Sequence, residues 1–346
     1  MGGMEAHCHL LIRALAAHGH QVVMFASGDS DPALPLRPIT PRHYEAVLPW
    51  DRWHGTDELT AFQEAAFASA WAAIREEGFD VVHNNSMHAA IHDWARRDRQ
   101  PMVTSLHVPP FAGLASALER NGAPWLRQTV TSQAHQACWW DMPPATASVV
   151  YNGIDPSDWT FSPNGNGRAI WVGRITPNKG THIAIDAARA AGLPLDIIGP
   201  VDCADYHARE IAPRLGEDCV HHGAMKSDDL VVALRAASVM LMTPMWDEPF
   251  GLVAAEALAC GVPVAALDRG AMREVIGDAG ALAAGPDQLP AAIMRALVLP
   301  RAACRARVER LFTVGGMIAR YEDAYAAAMS AAADASSCAS SEAVLA

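Results

Sequence analysis

In the second half of this chain, apolar residues fall into short continuous runs, separated by segments where they recur at helical spacing. A short continuous apolar run between turn residues predicts a strand buried on both faces of a parallel sheet. Alternation of such strands with helices predicts a doubly wound α/β domain. Such runs predict strands at residues 169–172, 239–243 and 262–267, and strands are also predicted at residues 195–198 and 220–223, which contain polar residues. The predicted helices are residues 181–191, 205–215, 227–236 and 251–260.

The first half shows a similar but less regular alternation. Its predicted helices are residues 3–18, 57–77 and 86–97, and its predicted strands are residues 21–26, 79–83, 101–106, 127–131 and 145–150. Residues 31–54 are rich in proline and predict a long surface loop. A domain of this kind begins with a strand, whereas this pattern begins with the turn Gly2-Gly3 and a helix. We therefore expect the first strand of the amino-terminal domain to be missing, through a start codon assigned too late or a truncated gene.

Composition narrows the class of protein. The hydrophobic fraction of 51% supports buried cores, and 346 residues are enough for two domains. The formal net charge of −12 argues against general nucleic-acid binding, which needs a basic surface. No stretch approaches the roughly 20 apolar residues of a bilayer-spanning helix, and the first residues lack the features of a secretory signal. From the lack of such a stretch we expect no stable membrane insertion. The seven cysteines are scattered singly, so we expect reduced thiols and a cytoplasmic protein.

Two carboxylates flank the start of the most apolar predicted helix, residues 251–260. Glu248 follows a predicted strand, at the carboxyl edge where open α/β sheets bind ligands. Glu256 lies within the helix, where burying a carboxylate is costly unless hydrogen bonds satisfy it. Either protein amides or the hydroxyl groups of a ligand can supply those bonds, and the residue alone favours neither. The amides of Gly251 and Leu252, which open the helix, predict an anion site.

The segment from Glu248 to Glu256, with Pro249-Phe250-Gly251 between the two acids, resembles the signature of family-4 retaining glycosyltransferases of the GT-B fold. The resemblance implies an α/β protein with two Rossmann-like domains, each a doubly wound parallel sheet, facing across a cleft. It also implies that Glu256 holds the ribose of a nucleotide, and that Glu248 is catalytic and meets the hydroxyls of the donor sugar. The rest of this part of the donor site would be Phe250, Gly251 and Leu252.

A second motif joins a predicted strand, which delivers Gly173 and Arg174 to the sheet edge, to a helix preceded by Lys179. An arbitrary Arg–Lys pair is usually a solvated surface pair, but two cations at this spacing can also converge on a diphosphate. Relatives carry Gly-Arg and Lys-Gly at this place. The resemblance therefore implies that Arg174 and Lys179 are catalytic and neutralise a nucleoside diphosphate as it leaves. Gly173 would also bind the donor, and the nucleotide would lie along the loops at Gly199 and Gly223.

Candidates in the amino-terminal half are fewer. A lone histidine at a strand end is more often structural, but relatives place a histidine that contacts the donor sugar at the position of His107. The resemblance therefore implies a catalytic role for His107. His83, at another strand end, is a candidate for acceptor contact. Gly2, Gly3 and Glu5 resemble the loop that approaches phosphate and acceptor in relatives.

The chain offers no recognisable metal site. Its histidine pairs, such as His88 and His92, lack a third ligand at zinc-site spacing. Relatives of the GT-B fold generally need no catalytic metal. We therefore expect no metal and no cofactor, with a nucleoside-diphosphate sugar as donor substrate.

The resemblance also predicts the domain organisation. Residues 1–155 would form the acceptor-side domain and residues 156–312 the nucleotide-sugar domain. A helix within residues 313–330, ending at residue 329, would cross back to the amino-terminal domain. The Ala/Ser-rich residues 331–346 would form a flexible tail.

The function implied is that of a retaining glycosyltransferase, acting on hexosyl groups. It would move a sugar from a nucleoside-diphosphate sugar to a hydroxyl of a glycan, lipid or small metabolite. Two alternatives stay open: a nucleotide-sugar-binding protein inactive through amino-terminal truncation, and a nucleotide-sugar epimerase or phosphorylase of the same fold. An NAD-dependent dehydrogenase is disfavoured, because no Gly-x-Gly-x-x-Gly motif follows a strand with an acid about 20 residues on.

Overall fold

The computed structural model describes the backbone of residues 3–343 and the side chains of residues 3–337, so that Gly2 lies outside the described residues. The chain forms two compact units. Unit 1 comprises the residues up to Val130, Cys138–Val150 and the residues from Ile318 onward. Unit 2 comprises Thr131–Ala137 and Tyr151–Met317. Both are α/β units with parallel sheets, which confirms the predicted fold class.

Strands and helices alternate along the described chain. The strands are β1 (Met24–Ser27), β2 (Leu36–Thr40), β3 (Val82–Asn84), β4 (Met102–Leu106), β5 (Leu126–Val130), β6 (Ala147–Val149), β7 (Ala169–Val172), β8 (Leu195–Ile198), β9 (Cys219–His221), β10 (Val239–Met242), β11 (Val264–Leu267) and β12 (Gly280–Ala283). The helices are α1 (Gly3–Ala17), α2 (Trp50–Trp53), α3 (Asp57–Glu77), α4 (Ala90–Asp98), α5 (Ala112–Arg120), α6 (Gln133–Trp139), α7 (Thr181–Ala190), α8 (Ala204–Tyr206), α9 (Ser227–Ala236), α10 (Leu252–Ala259), α11 (Met272–Ile276), α12 (Leu289–Ala296), α13 (Arg301–Leu311) and α14 (Val314–Ala343).

Unit 1 contains two parallel sheets that share no strand pairing within the described residues. Strand β1 pairs with β2, and strands β3 to β6 pair in sequence order. Helix α3 begins where predicted, because the Thr56 hydroxyl accepts a hydrogen bond from the Leu59 amide as an N-cap. Its side chains Trp71 and Ile74 pack in a buried cluster with Met102 of β4. The predicted additional strand would precede the first residue of this chain, and it stays a prediction.

Unit 2 contains one six-stranded parallel sheet, in the order β12-β11-β10-β7-β8-β9. Numbered within the unit, this is the order 3-2-1-4-5-6 of Rossmann-type sheets, read from the other edge. The order reverses between β7 and β10, which pair through Val239 with Ala169 and Met240 with Ile170. In open sheets of this kind, ligands bind at the carboxyl ends of the strands at such a reversal.

Alternate residues of the central strands supply two separate cores. Met240 and Met242 of β10 are buried in one cluster with residues of α10 and α13. Val239 and Leu241 of the same strand are buried in a second cluster with residues of α7 and α12. Because successive side chains of a strand point to opposite faces, each face of the sheet carries its own helices. This is the doubly wound arrangement that the continuous apolar runs predict.

The predicted loop at residues 31–54 contains secondary structure that sequence analysis missed. Its residues include strand β2 and the short helix α2. Proline concealed the strand, since Pro38 has no amide proton to donate to a neighbouring strand. A strand at the edge of a sheet tolerates this, because one of its sides needs no partner.

Two predicted helices differ in extent. The helix predicted at residues 205–215 is broken into α8, a π-helical turn at His207–Ile211 and a 3₁₀ turn at Ala212–Arg214. Pro213 explains the break, since proline removes a helical hydrogen bond and clashes with the preceding turn. Helix α14 continues to Ala343 instead of ending at residue 329, because alanine has the highest helix propensity. None of the described helices has the length and apolarity that crossing a membrane requires.

Candidate functional site

Two loops of unit 2 are hydrogen-bonded to each other between β7 and β10, where the strand order reverses. One follows β7 and carries Lys179, and the other follows β10. The amide of Met245 donates to the carbonyl of Asn178 at 2.8 Å. The Thr243 hydroxyl donates to the Lys179 carbonyl at 2.9 Å and accepts from the indole of Trp171 at 3.1 Å. These bonds fix the backbone of Lys179 beside the β10 loop.

Glycine makes the close approach of these loops possible. Gly180 has a φ of 64°, and a Cβ there would clash with the carbonyl oxygen of Thr243. Gly199, with a φ of 145°, lies so close to Gly173 that a Cβ would collide with the Gly173 carbonyl. The Gly199 amide donates to the carbonyl of Gly223 at 2.8 Å. Three glycines predicted to line the nucleotide therefore meet at the carboxyl ends of β7, β8 and β9.

Lys179 and Glu248 form an ion pair in this site. The Lys179 Nζ lies 2.7 Å from Glu248 Oε2. The indole Nε1 of Trp246 donates to the same oxygen at 2.9 Å. Glu248 is 8% exposed, and both donors compensate the cost of burying its charge. Sequence analysis found the lysine and the glutamate, but nothing in the sequence pointed to the tryptophan.

The backbone around Glu248 is held from two sides. The Ala271 amide donates to the Glu248 carbonyl at 2.8 Å. The hydroxyls of Thr131 and Ser132 both donate to the Pro249 carbonyl, at 3.0 and 2.7 Å. These residues carry no sequence signal of such a role, because they lie more than a hundred positions away in the chain. Their bonds leave the glutamate little freedom.

Glu256 lies on α10 and differs from Glu248 in burial and hydrogen bonding. Its side chain is half-buried, and no group within residues 3–337 donates a hydrogen bond to it. Burial of the carboxyl group raises its pKa to about 7, because removal from water disfavours the charged form. Of the two possibilities open from the sequence, satisfaction by protein amides is therefore absent within the described residues. The carboxyl group has acceptor capacity left for a ligand.

The start of α10 meets the prediction in part. The amides of Leu252 and Val253 donate to no acceptor within the described residues, as expected at the first turn of a helix. Phe250, predicted to bind the donor, is only 2% exposed and packs edge-on against Phe312 at a centroid distance of 5.4 Å. Its aromatic ring is apolar and belongs in the core, so the ring itself is not available to a ligand.

Arg174 and Lys179 each have an acidic partner. Arg174 lies after β7 with an exposed side chain, 3.0 Å from the carboxylate of Asp202. The predicted convergence of both cations on a diphosphate would therefore require Arg174 to leave Asp202 and Lys179 to leave Glu248. An exposed ion pair contributes at most about 1 kcal/mol, so the arginine can exchange its partner at little cost.

In unit 1, His107 follows β4 and belongs to a group of aromatic side chains. Its Nε2 lies 3.0 Å from Asn85 Oδ1, and its ring lies 4.7 Å from that of His7. His7 is 2% exposed, and burial lowers its pKa to about 3. The neighbour of His107 is therefore a neutral imidazole at physiological pH. Sequence analysis did not single out His7 for this position.

His83 is engaged inside unit 1. Its Nδ1 lies 2.5 Å from the Tyr325 hydroxyl, and its Nε2 lies 2.8 Å from the Ser105 hydroxyl. The Ser105 hydroxyl also lies 3.0 Å from the hydroxyl of Tyr321. Burial lowers the pKa of His83 to about 3, with a smaller effect from His107. With both ring nitrogens occupied, His83 fits a structural role better than the acceptor contact we predicted.

The remaining candidates are Gly2, Gly3 and Glu5. Gly3 and Glu5 are exposed in the first turn of α1, and Gly2 lies outside the described residues. Within the described part of the chain, no three or more histidine, cysteine or acidic residues are grouped so that they could hold a metal ion.

Comparisons with known proteins identify the family of the chain. The family model described as Glycosyltransferase Family 4 matches residues 1–158, and the model described as Glycosyl transferases group 1 matches residues 160–308. Together these matches span most of the chain. A phosphatidyl-myo-inositol mannosyltransferase of Mycobacterium leprae is 26% identical over 318 residues, covering 86% of this chain and 83% of the relative.

Solved structures share the fold. AviGT4, a glycosyltransferase involved in avilamycin A biosynthesis, superposes with a TM-score of 0.71 at 22% identity, covering 95% of this chain and 91% of the other. Anabaena HepE, crystallised with UDP and glucose, superposes with a TM-score of 0.69 at 20% identity, covering 93% of this chain and 95% of the other.

Proposed function

Because this chain belongs to the family-4 glycosyltransferases and has the GT-B fold, we propose that it is a retaining enzyme that uses a nucleoside-diphosphate sugar. The observation that carries this proposal is the state of Glu256 in unit 2. A half-buried carboxyl group without a hydrogen-bond partner within the described residues suits the paired hydroxyls of a ribose. The amides at the start of α10 and the ion pair of Lys179 supply the remaining groups that a nucleotide sugar needs.

Lys179 would neutralise the diphosphate. Binding of the diphosphate would draw the ammonium group away from Glu248, and would free the glutamate to accept hydrogen bonds from hydroxyls of the donor sugar. Arg174 would add a second positive charge after leaving Asp202. Positive charge placed where the leaving diphosphate develops negative charge lowers the barrier to transfer. These cations would serve in place of a metal ion, so we propose that neither a metal nor a cofactor is required.

The reaction would proceed on one face of the sugar. The bond between the anomeric carbon and the diphosphate oxygen breaks, and the acceptor oxygen forms a bond to the same carbon. The acceptor proton passes to an oxygen of the leaving diphosphate, so the configuration is retained without a carboxylate nucleophile. For His107 we propose the contact with the donor sugar that the resemblance implies.

The cysteines support a proposed cytoplasmic location. The seven cysteines are scattered singly along the sequence, a distribution typical of reduced thiols in that compartment.

Calorimetry with UDP, GDP, ADP and their common sugar conjugates tests the donor site. Selective binding to the wild-type protein that disappears in Glu256→Ala supports the ribose contact. Undiminished affinity in Glu256→Ala would remove Glu256 from the site. UDP is the first probe, because HepE was crystallised with it.

Turnover and stereochemistry test the chemistry. Lys179→Ala should lower kcat for sugar transfer by roughly a hundredfold or more, because it removes charge stabilisation from the transition state. The anomeric configuration of the product, read by proton NMR, should match that of the donor. An inverted product would contradict the retaining mechanism but would not contradict the proposed donor site.

A further inference from the structure

The loop between β10 and α10 contains a side chain that contacts both members of the ion pair. Trp246 Nε1 donates to Glu248 Oε2 at 2.9 Å, the oxygen that also accepts from Lys179 Nζ at 2.7 Å. The Lys179 Nζ lies 5.1 Å from the centroid of the Trp246 ring, within the range of a cation–π interaction. The N–H edge of the indole therefore meets the anion, and its face meets the cation.

Trp246 is not placed there by core packing. It is half-buried and is not a member of either buried cluster of unit 2. Its neighbour Met245 is exposed, while the Met245 amide ties the loop backbone to Asn178. The loop therefore holds the indole at the ion pair through backbone bonds.

Both donors use one oxygen of the glutamate. Within residues 3–337, no group donates to Glu248 Oε1. A hydroxyl of a ligand can therefore bind to Oε1 while Oε2 keeps its hydrogen bond from Trp246. This divides the carboxylate into an oxygen held by the protein and an oxygen left for a ligand.

Loss of Lys179 from the pair would be costly without a second donor. Glu248 is 8% exposed, and a buried carboxylate that loses its only partner keeps an uncompensated charge. The indole hydrogen bond remains when the ammonium group moves, because it comes from a different side chain. It lowers the free energy needed to separate Lys179 from Glu248.

We propose that Trp246 is a positioning residue that allows Lys179 to exchange Glu248 for the diphosphate of the ligand. This inference rests on the proposed function, because it assigns the diphosphate to Lys179. In the free protein the indole N–H and Lys179 both donate to Oε2 of Glu248. In the complex the same N–H holds Oε2 of Glu248, and Oε1 faces the donor sugar.

The variant Trp246→Phe tests this role, because it keeps an aromatic face for Lys179 and removes the N–H. We expect affinity for UDP to fall roughly tenfold, the effect of losing one hydrogen bond to a charged group. Affinity for UMP should stay within about twofold, since UMP lacks the diphosphate assigned to Lys179. Both affinities are measured by calorimetry, with GDP and GMP or ADP and AMP if the wild-type protein prefers another base.

A double-mutant cycle supplies the matched control. In the Glu248→Gln background, Trp246→Phe should cause no further loss of UDP affinity, because no carboxylate then holds Lys179. Equal losses for UDP and UMP would show a general disturbance of the loop and overturn the inference. Unchanged UDP affinity in Trp246→Phe would also overturn it, while leaving the proposed function intact. Failure of the wild-type protein to bind any of the three diphosphates would instead reject the proposed function.

Discussion

At the scale of single residues, two glutamates on the same short segment are held in opposite ways. Glu248 is buried and paired with Lys179 and Trp246. Glu256 is half-buried with no hydrogen-bond partner within the described residues, and burial raises its pKa to about 7. The first arrangement stabilises a charge in the free protein. The second makes the free protein less stable than it could be, which is typical of a group that a ligand completes.

The variant Glu256→Gln should therefore stabilise the protein above neutral pH. The pKa is raised from 4.5 to about 7 on folding, so the folded state binds the proton more tightly than the unfolded state. The stability this contributes is complete below about pH 4.5, and it is lost as the pH rises to 7. A shift of this size corresponds to roughly 3–3.5 kcal/mol. The Tm of Glu256→Gln should exceed that of wild type at pH 8, with a much smaller difference at pH 5.

The exposed residue Glu217 offers a control for this prediction. Glu217→Gln should leave the Tm unchanged at both pH values, since surface substitutions rarely matter. Equal Tm values for Glu256→Gln and wild type at pH 8 would mean that the carboxyl group is better hydrated than its burial indicates.

The sequence pointed to Lys179 and Glu248 of the candidate site, but not to Trp246, which contacts both. Glu248, Glu256 and Lys179 carry a signal because their residue types stand in a recognisable spacing. Trp246 carries none, since a tryptophan in a loop is compatible with many environments. Its role follows from which atoms it reaches, and that depends on the folded loop.

At the scale of elements, the loops after β7 and β10 are joined by hydrogen bonds. Thr243 holds the Lys179 carbonyl, and Gly180 leaves just enough room for the Thr243 carbonyl. The position of Lys179 thus depends on the contact between two loops from neighbouring strands. A side chain at Gly180 would separate them.

Gly180→Ala should destabilise the protein and weaken UDP binding together. The residue has a φ of 64°, which strains any other side chain, and its Cβ would clash with Thr243. We expect a loss of about 2–4 kcal/mol in the free energy of unfolding. Gly192→Ala is the matched control, because its φ is 70° and nothing lies within 4 Å of its Cβ. The control should cost only about 1 kcal/mol and leave UDP affinity unchanged.

Urea unfolding and calorimetry on the two variants decide between strain and contact. If Gly192→Ala loses as much stability as Gly180→Ala, backbone strain alone accounts for both effects. Retained UDP affinity in a folded Gly180→Ala protein would show that the loops need not touch for Lys179 to bind.

The elements that the sequence predicts best are those whose local residue pattern matches their burial or capping in the folded protein. Strands β7, β10 and β11 are buried on both faces, so each is a continuous apolar run. Helix α3 has both a cap and a left-handed glycine, Gly78, at its end. Strand β2 and helix α6 are short, and their residues have mixed preferences. Tertiary contacts decide their conformation, and a single sequence does not contain those contacts in readable form.

At the scale of the whole molecule, the alternation of strands and helices was sufficient to predict parallel doubly wound sheets. The strand order of unit 2 is that expected for this class. The interior of unit 1 was not predictable in the same way. Its polar network joins His83 to Tyr325, which lie 242 positions apart. No local pattern connects residues at that separation.

This network makes unit 1 sensitive to acid. Burial lowers the pKa values of His7 and His83 to about 3, from 6.5. The folded state therefore binds protons more weakly than the unfolded state, and stability falls as the pH decreases from about 6.5 towards 3. His107, Tyr321, Tyr325 and Ser105 surround His83, and none of them supplies a negative charge that would hold a proton on the ring.

The variant His83→Gln should reduce this acid sensitivity. An amide can donate one hydrogen bond and accept another, as a neutral imidazole does, but it does not titrate. The variant should be somewhat less stable than wild type at pH 7, because the replacement fits less well. Between pH 7 and pH 5 the wild-type protein should lose about 1–2 kcal/mol more unfolding free energy than the variant, because the pKa of His83 differs between the folded and unfolded states.

Hydrogen exchange of peptides covering β3 and β4, measured against urea and corrected for intrinsic rates, reports the stability of unit 1 directly. His54→Gln, at an exposed position, should follow the wild-type profile. A His83→Gln variant that loses as much stability as wild type over this range would mean that His83 takes up its proton without unfolding unit 1.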